Sequence, residues 1–317
     1  MESIRWKHGF LELLDQRQLP HQTIWIQATT HTDVVIAIRE MIVRGAPAIA
    51  IAAAYGMAMA IANGANRTQA SQELLDARPT AVNLQWALER LKSIPDAEIL
   101  EESLKIHQED LQINYAIGHN GAALLGSNTG VITICNTGAL ATSGHGTALG
   151  MIRTAHQNGQ NIHVYILETR PYLQGARLTA YECMQEGIPC TLITDNMAGA
   201  LLQSGKVQAA VAGCDRVAAN GDTANKIGTY QLAVLCKHHN VPFYIAMPTS
   251  TFDADCPNGN AIPIEERPSE EVRSLHGVQI APNDIPVWNP SFDVTPAALI
   301  QGWVTEEGIW QLPLSNA

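Results

Sequence analysis

Apolar residues along this chain fall into two regimes that change near residue 126. In the first, Val34, Val35, Ile38, Met41 and Ile42 recur at the spacing of one helical face. Ala46 to Ala62 is an apolar run of 17 residues, mostly Ala, Ile and Met, broken by Pro47 and Gly56. It is shorter than the ~20 residues a membrane span needs, so it predicts a buried helix. Pro47 suits the first helical turn, where a missing N–H costs nothing. Further helices are expected at 70–76, 80–93 and 97–122, with a cap at Thr80 and one short strand at Thr23 to Gln27. The opening stretch from Ile4 to Leu19 mixes apolar and charged residues. Residues 1–125 therefore read as a mainly helical domain with little strand.

After Gly126-Ser127-Asn128 the pattern becomes short apolar runs at Val131–Ile134, Val164–Leu167, Cys190–Thr194, Ala209–Ala212 and Phe243–Ala246. Helical stretches at about 145–158, 173–186, 196–204 and 222–239 separate them. Strands alternating with helices imply an α/β fold whose parallel sheet is covered on both faces. Residues 126–317 form this second unit. Ligands of such sheets bind beyond the carboxyl ends of the strands. The polar clusters fall there: Cys135-Asn136, Glu168 to Arg170, Asp195-Asn196 and Gly213 to Arg216. One common cleft is the expectation. The Pro-rich tail should wrap the sheet and close the site, with a last helix near 295–301.

Composition narrows the function classes. With 46% hydrophobic and 15% charged residues, the 317-residue chain can bury a full core and is not of disordered type. Its 30 acidic against 19 basic residues, a net charge of −11, argue against a broad nucleic-acid footprint. A small anionic substrate needs only a local ring of donors. The six cysteines form no CxxC pair and fit no zinc ribbon. No signal peptide or membrane span is apparent, so a reducing, cytoplasmic compartment is expected.

Three constellations carry candidate chemistry. Cys135 opens a loop with glycines at 138, 144 and 146, able to fold tightly and direct N–H groups at an anion. Cys135 is either a reactive thiol or a small packing residue there. Asp215, straight after an apolar strand, is either a proton-handling carboxyl at the cleft or the partner of Arg216. Asn225 and Lys226 could meet phosphate at the start of the next helix, or Lys226 could pair with Asp222 one turn away. Arg44, beside Gly45, joins Arg78, Arg170 and Arg177 as cations that together would make an anion site. His145 could line the glycine loop. No metal motif or nucleotide fingerprint is present.

The segments Arg44-Gly-Ala-Pro-Ala-Ile, Cys135-Asn-Thr-Gly-Ala-Leu-Ala-Thr, Glu168-Thr-Arg-Pro-Tyr-Leu-Gln-Gly-Ala-Arg-Leu-Thr and Asp195-Asn-Met-Ala carry a resemblance. So do Gly213-Cys-Asp-Arg-Val-Ala-Ala-Asn-Gly-Asp-Thr-Ala-Asn-Lys-Ile-Gly and Val287-Trp-Asn-Pro-Ser-Phe-Asp-Val-Thr-Pro. In order and spacing, from about residue 20 to 305, the chain resembles the methylthioribose-1-phosphate isomerases, whose fold is shared with regulatory subunits of initiation factor 2B.

That resemblance implies a small N-terminal domain before a Rossmann-like one, and an intramolecular aldose–ketose isomerase of methionine salvage. It implies no cofactor, no metal and a homodimer. Cys135 and Asp215 match the catalytic pair; Arg44, Gly45, Ala46, Arg78, Gln174, Asn225 and Lys226 match substrate-binding positions. Cys214 and His145 depart from the usual Ala and Tyr and could alter pocket size. Isomerases of 5-deoxyribose 1-phosphate or ribose 1,5-bisphosphate, and a noncatalytic ligand-sensing subunit, are the alternatives.

Overall fold

A computed structural model of the protein describes residues 1–79, 81–275 and 277–314; the expected cap at Thr80 lies outside them. The chain opens with three short strands, β1 (Ile4–Lys7), β2 (Phe10–Leu14) and β3 (Trp25–Ala28), in an antiparallel sheet. The third answers the expected strand. The first two correct the reading of this region as nearly strand-free. Leu11 and Leu13 point into the core while Glu12 does not, a period-two pattern too short to stand out among the flanking charges.

Five helices follow: α1 (His31–Arg39), α2 (Ala46–Ala62), α3 (Arg67–Ala77), α4 (Val82–Lys92) and α5 (Ile99–Leu125). Thr30 caps α1 through the N–H of Asp33, whose carboxylate returns a bond to the N–H of Thr30. Helix α2 has the expected bounds and is buried from Ala48 to Ala60. Its small side chains let α1, α3, α4 and α5 pack around it on every side. Gly56 shows how close they come, since a Cβ there would lie 2.9 Å from Leu74.

The larger sheet begins with β4 (Thr129–Thr133), then α6 (Ala148–Gln157), β5 (Ile162–Leu167), a π-turn at Gly175–Thr179 running into α7 (Ala180–Gln185), β6 (Cys190–Ile193), α8 (Ala198–Gln203) and β7 (Ala209–Ala212). The chain then makes a hairpin of β8 (Arg216–Ala218) and β9 (Thr223–Lys226) before α9 (Thr229–His238) and β10 (Phe243–Ala246). This corrects the helix expected over 222–239: its first part is strand, because Thr223 to Lys226 pair on both edges. The remaining elements are β11 (Phe252–Asp253), α10 (Glu270–Arg273), β12 (Ser274–Leu275), β13 (Val278–Gln279), β14 (Phe292–Thr295), β15 (Gly302–Thr305) and β16 (Gly308–Trp310). Where a last helix was expected there is one 3-10 turn, Ala297–Leu299. The tail does more than wrap: β15 joins the main sheet beside β10, and β14 pairs with β9.

The main sheet has the order β16-β15-β10-β7-β4-β5-β6, parallel except for β16. From β4 the chain winds outward through β5 and β6, then returns to place β7 on the other flank of β4. The winding reverses between β4 and β7, and in doubly wound sheets the ligand crevice opens at that reversal. Among the described residues no helix is long and apolar enough to cross a membrane.

Candidate active site

The loops leaving β4 and β7 carry the two candidate proton handlers. Thr133 lies opposite Val211 in the register of this parallel pair. Two residues further on, Cys135 is level with Gly213, and Asp215 follows two residues later. Adjacent strands are about 4.8 Å apart, so both groups emerge at one edge of the crevice. Cys135 has a φ of 63°, in the left-handed region that a side chain disfavours by about 1–2 kcal/mol. Its N–H donates to Thr169 Oγ1 at 2.9 Å and its carbonyl accepts from Thr179 Oγ1 at 2.6 Å. These bonds hold the residue in its turn.

One cavity is lined by all nine positions that the resemblance matched to catalytic and substrate-binding residues: Arg44, Gly45, Ala46, Arg78, Cys135, Gln174, Asp215, Asn225 and Lys226. Arg44 reaches it because Gly45, with a φ of 95°, lets the chain turn tightly before α2; a Cβ on Gly45 would lie 2.5 Å from the Ala141 carbonyl. The Arg44 guanidinium donates to Asn136 Oδ1 at 2.6 Å and to the Asn136 backbone oxygen at 2.8 Å. Arg78 comes from the end of α3, with Glu265 at 3.4 Å. Gln174 is buried, and its side-chain oxygen has no hydrogen-bond partner among the described residues.

Lys226 and Asn225 end β9 rather than opening a helix, which corrects the expected geometry at this corner. The pairing of Lys226 with Asp222 is also absent. Asp222 instead accepts from the backbone of Gly259 and Ala297 and from Asn220. Arg216 pairs with Asp253 at 3.4 Å, which leaves Asp215 to the cavity.

Burial raises the Asp215 carboxyl above its ordinary range, opposed by Lys226, Arg78 and Arg44. Burial also pushes the Cys135 thiol up, against the pull of Arg44 and Lys226, and pushes the Lys226 ammonium down. A carboxyl whose proton affinity is raised by burial, next to cations that can receive an anion, suits acid–base work on a phosphorylated substrate. Met41, Ile49, Val82, Ala246 and Phe292 supply an apolar wall.

Several expectations do not survive the fold. Arg177 donates to the carbonyls of Gln16 and Arg17, both at 2.9 Å, and lies over Tyr172; it joins no anion site. Arg170 reaches the Val272 carbonyl at 3.1 Å. The clusters after β5 and β6 meet each other instead of the main cavity, since Asp195 accepts the N–H groups of Thr169 and Arg170. The glycine loop does form an anion nest, but internal carboxylates fill it. Glu182 takes the N–H groups of Ala139 and Leu140, and Asp110 that of Ser143. His145 lies outside the cavity, hydrogen-bonded to Thr154 and packed on Tyr115, whereas Cys214 does line it. Asn136 and Glu182 were not singled out as site residues. Asn136 stands within the cysteine motif, but nothing in the local sequence signals Glu182.

The chain matches the initiation factor 2 subunit family over residues 42–312. It is 52% identical to the methylthioribose-1-phosphate isomerase of Alcanivorax borkumensis, across 98% of this chain and 94% of that protein. Among solved structures, 5-methylthioribose 1-phosphate isomerase from Pyrococcus horikoshii OT3 superposes with a TM-score of 0.91 at 40% identity, covering 98% of this chain and 93% of the other. A protein described as translation initiation factor eIF-2B, subunit delta, from A. fulgidus gives 0.86 at 41%, covering 99% and 96%.

Proposed function

This chain belongs to the methylthioribose-1-phosphate isomerases of the initiation factor 2 subunit family, and we propose that its cavity converts 5-methylthioribose 1-phosphate into 5-methylthioribulose 1-phosphate. The observation that carries the reading is the convergence of Cys135 and Asp215 at the β4/β7 reversal, inside a cavity bearing Arg44, Arg78 and Lys226. A noncatalytic subunit of the same fold has no need of that pair.

The anomeric oxygen of this substrate carries phosphate, so the ring cannot open to a free aldehyde. An acid must protonate the ring oxygen so that its bond to C1 breaks and cationic character is left at C1. Asp215, with its raised proton affinity, is that acid. In a proton route Cys135, as the thiolate that the Arg44 and Lys226 charges favour against the effect of burial, removes the C2 proton to give an enol phosphate and returns it to C1. In a hydride route the C2 hydrogen moves to C1 with its electron pair while Cys135 positions the sugar. In both, O2 gives its proton to the Asp215 carboxylate and a ketone results. Either route oxidises C2 to the ketone and reduces C1 by the same two electrons within one molecule, so no external oxidant or reductant is needed.

Arg44, Arg78 and Lys226 hold the phosphate, with Asn225 and the backbone of Gly45 and Ala46 alongside. The unpartnered oxygen of Gln174 accepts from a sugar hydroxyl. The apolar wall receives the methylthio group and excludes water, which strengthens each charge interaction. A second phosphate at C5 would meet that wall unpaired; this favours the methylthio sugar over ribose 1,5-bisphosphate.

The chain acts as a cytoplasmic homodimer whose residues 1–125 form the small helical domain and 126–317 the catalytic one. All six cysteines remain free thiols, as a reducing compartment requires. Edge strand β6 exposes Thr191 and Leu192, near which Met197 and Tyr230 are also exposed; a bare apolar edge is what a second copy would cover.

The test follows methylthioribose 1-phosphate by proton NMR with wild type, Cys135→Ser and Asp215→Asn. Wild type should form the ketose, and each variant should lose at least about a hundredfold in kcat. Tight binding without turnover by wild type would point to the sensor instead. Deuterium at C1 after reaction in heavy water would select the proton route.

A further inference from the structure

From Asn136 in the cavity lining, a chain of buried polar groups runs back into the protein. Glu182, on α7, is wholly buried. One of its oxygens accepts from Asn136 Nδ2 at 2.8 Å and from the N–H of Leu140 at 3.3 Å. The other accepts from the N–H of Ala139 at 2.7 Å and from Arg153 at 3.0 Å. Asn136 Nδ2 also donates to Thr179 Oγ1 at 3.2 Å, the hydroxyl that holds the Cys135 carbonyl. On its far side, Asn136 receives both bonds from Arg44.

We propose that Glu182 is a positioning residue that sets Arg44 for the substrate phosphate by fixing the Asn136 amide between them. The argument is one of donor and acceptor matching. A guanidinium can only donate, and here the Glu182 carboxyl only accepts. Between two such groups the Asn136 amide has one satisfactory orientation, with its NH2 toward Glu182 and its oxygen toward Arg44. Turned over, it would set NH2 against guanidinium and oxygen against carboxylate, at a site with no solvent to repair the mismatch. Gly138 allows the carboxylate to approach this closely, since a Cβ there would lie 2.3 Å from Glu182 Oε2. Arg153 holds the other end of the chain through Glu182 and Glu186. Residue 182 thus controls the aim of residue 44 across the junction between the glycine loop and the turn before α2.

The inference rests on the phosphate-binding role given to Arg44, so its test separates the two. Wild type, Arg44→Ala, Glu182→Gln and the double variant are compared by kcat and KM, by calorimetry with inorganic phosphate, and by melting temperature. Arg44→Ala should weaken phosphate binding; if it does not, the role of Arg44 and the inference both fall. Glu182→Gln should raise KM and the phosphate Kd by about tenfold while kcat changes by less than about threefold. In the Arg44→Ala background the same substitution should change either by less than about twofold. Effects that multiply in the double variant, or a lowered melting temperature with unchanged KM, would overturn positioning in favour of a purely structural role. Should Glu182→Gln not fold, Asn136→Leu in the same cycle removes the relay while keeping the Glu182 bonds to the loop and Arg153. It must show the same dependence on Arg44, and independent effects would again reject the inference.

Discussion

Asp215 and Lys226 stand at the same end of the β8–β9 hairpin: Asp215 donates its N–H to the Ala224 carbonyl at 2.9 Å, and two residues on, Lys226 lies with its ammonium 4.6 Å from the centre of the Phe292 ring. Arg216 pairs opposite Ala224, so the strands bring the acid and the cation together over a separation of eleven positions. Their environment moves the two groups in opposite directions. Burial raises the carboxyl and lowers the ammonium, each partly offset by the charge of the other.

That arrangement has a cost in stability with a definite pH dependence. The Asp215 carboxyl binds its proton more tightly folded than unfolded, so its contribution is present below the ordinary carboxyl range and is lost as pH rises through the raised value. Asp215→Asn should therefore melt above wild type near pH 8, with the gap closing toward pH 4, while activity is lost. A variant that melts below wild type at pH 8 would contradict the buried-acid reading.

His145 gives the opposite sign. Burial and then the Arg153 charge lower its imidazole to about 4. The folded state resists a proton that the unfolded chain takes up near 6.5, so this stability is present above 6.5 and declines as pH falls toward 4. His145→Gln, which can keep the bond to Thr154, should flatten the loss of urea resistance between those limits. Identical urea midpoints across the series would remove His145 as the cause.

Gly45 links backbone shape to the site. An alanine there would have to hold a φ of 95° with its Cβ 2.5 Å from the Ala141 carbonyl. Gly45→Ala should destabilise by about 1–3 kcal/mol and shift Arg44 away from Asn136, with KM rising more than the stability loss alone explains. Denaturant titration alongside kinetics would separate the two effects; wild-type KM would show that the loop adapts.

Arg177 tests the boundary of the anion site. Its bonds go to the carbonyls of Gln16 and Arg17, so Arg177→Leu should cost about 2 kcal/mol of stability and leave KM within about twofold. A KM rise matching that of Arg44→Ala would return this residue to the site.

Strongly periodic and strongly local features can be read from the order of residues alone. Helix α2 is legible because its seventeen residues, mostly Ala, Ile and Met, make an apolar run too long for an ordinary strand, with Pro47 in its first turn, and five parallel strands are legible because each is a short apolar run between helices. Of the cavity positions, Arg44, Gly45, Arg78, Cys135, Asp215, Asn225 and Lys226 drew notice as residues, whereas Ala46 and Gln174 came only with the family resemblance. Pairing across distance was not. Thr223 to Lys226 resemble the helix that follows them until β8 and β14 flank them, and β1 and β2 become strands only beside β3. The same holds for charge. Arg44 and Arg177 look alike as residues, but tertiary structure turned one into the cavity and gave the other two backbone carbonyls. Glu182 serves Asn136 from a position forty-six residues away. Local sequence reports what a segment prefers; which groups become partners depends on how far burial removes them from water and on what the fold sets beside them.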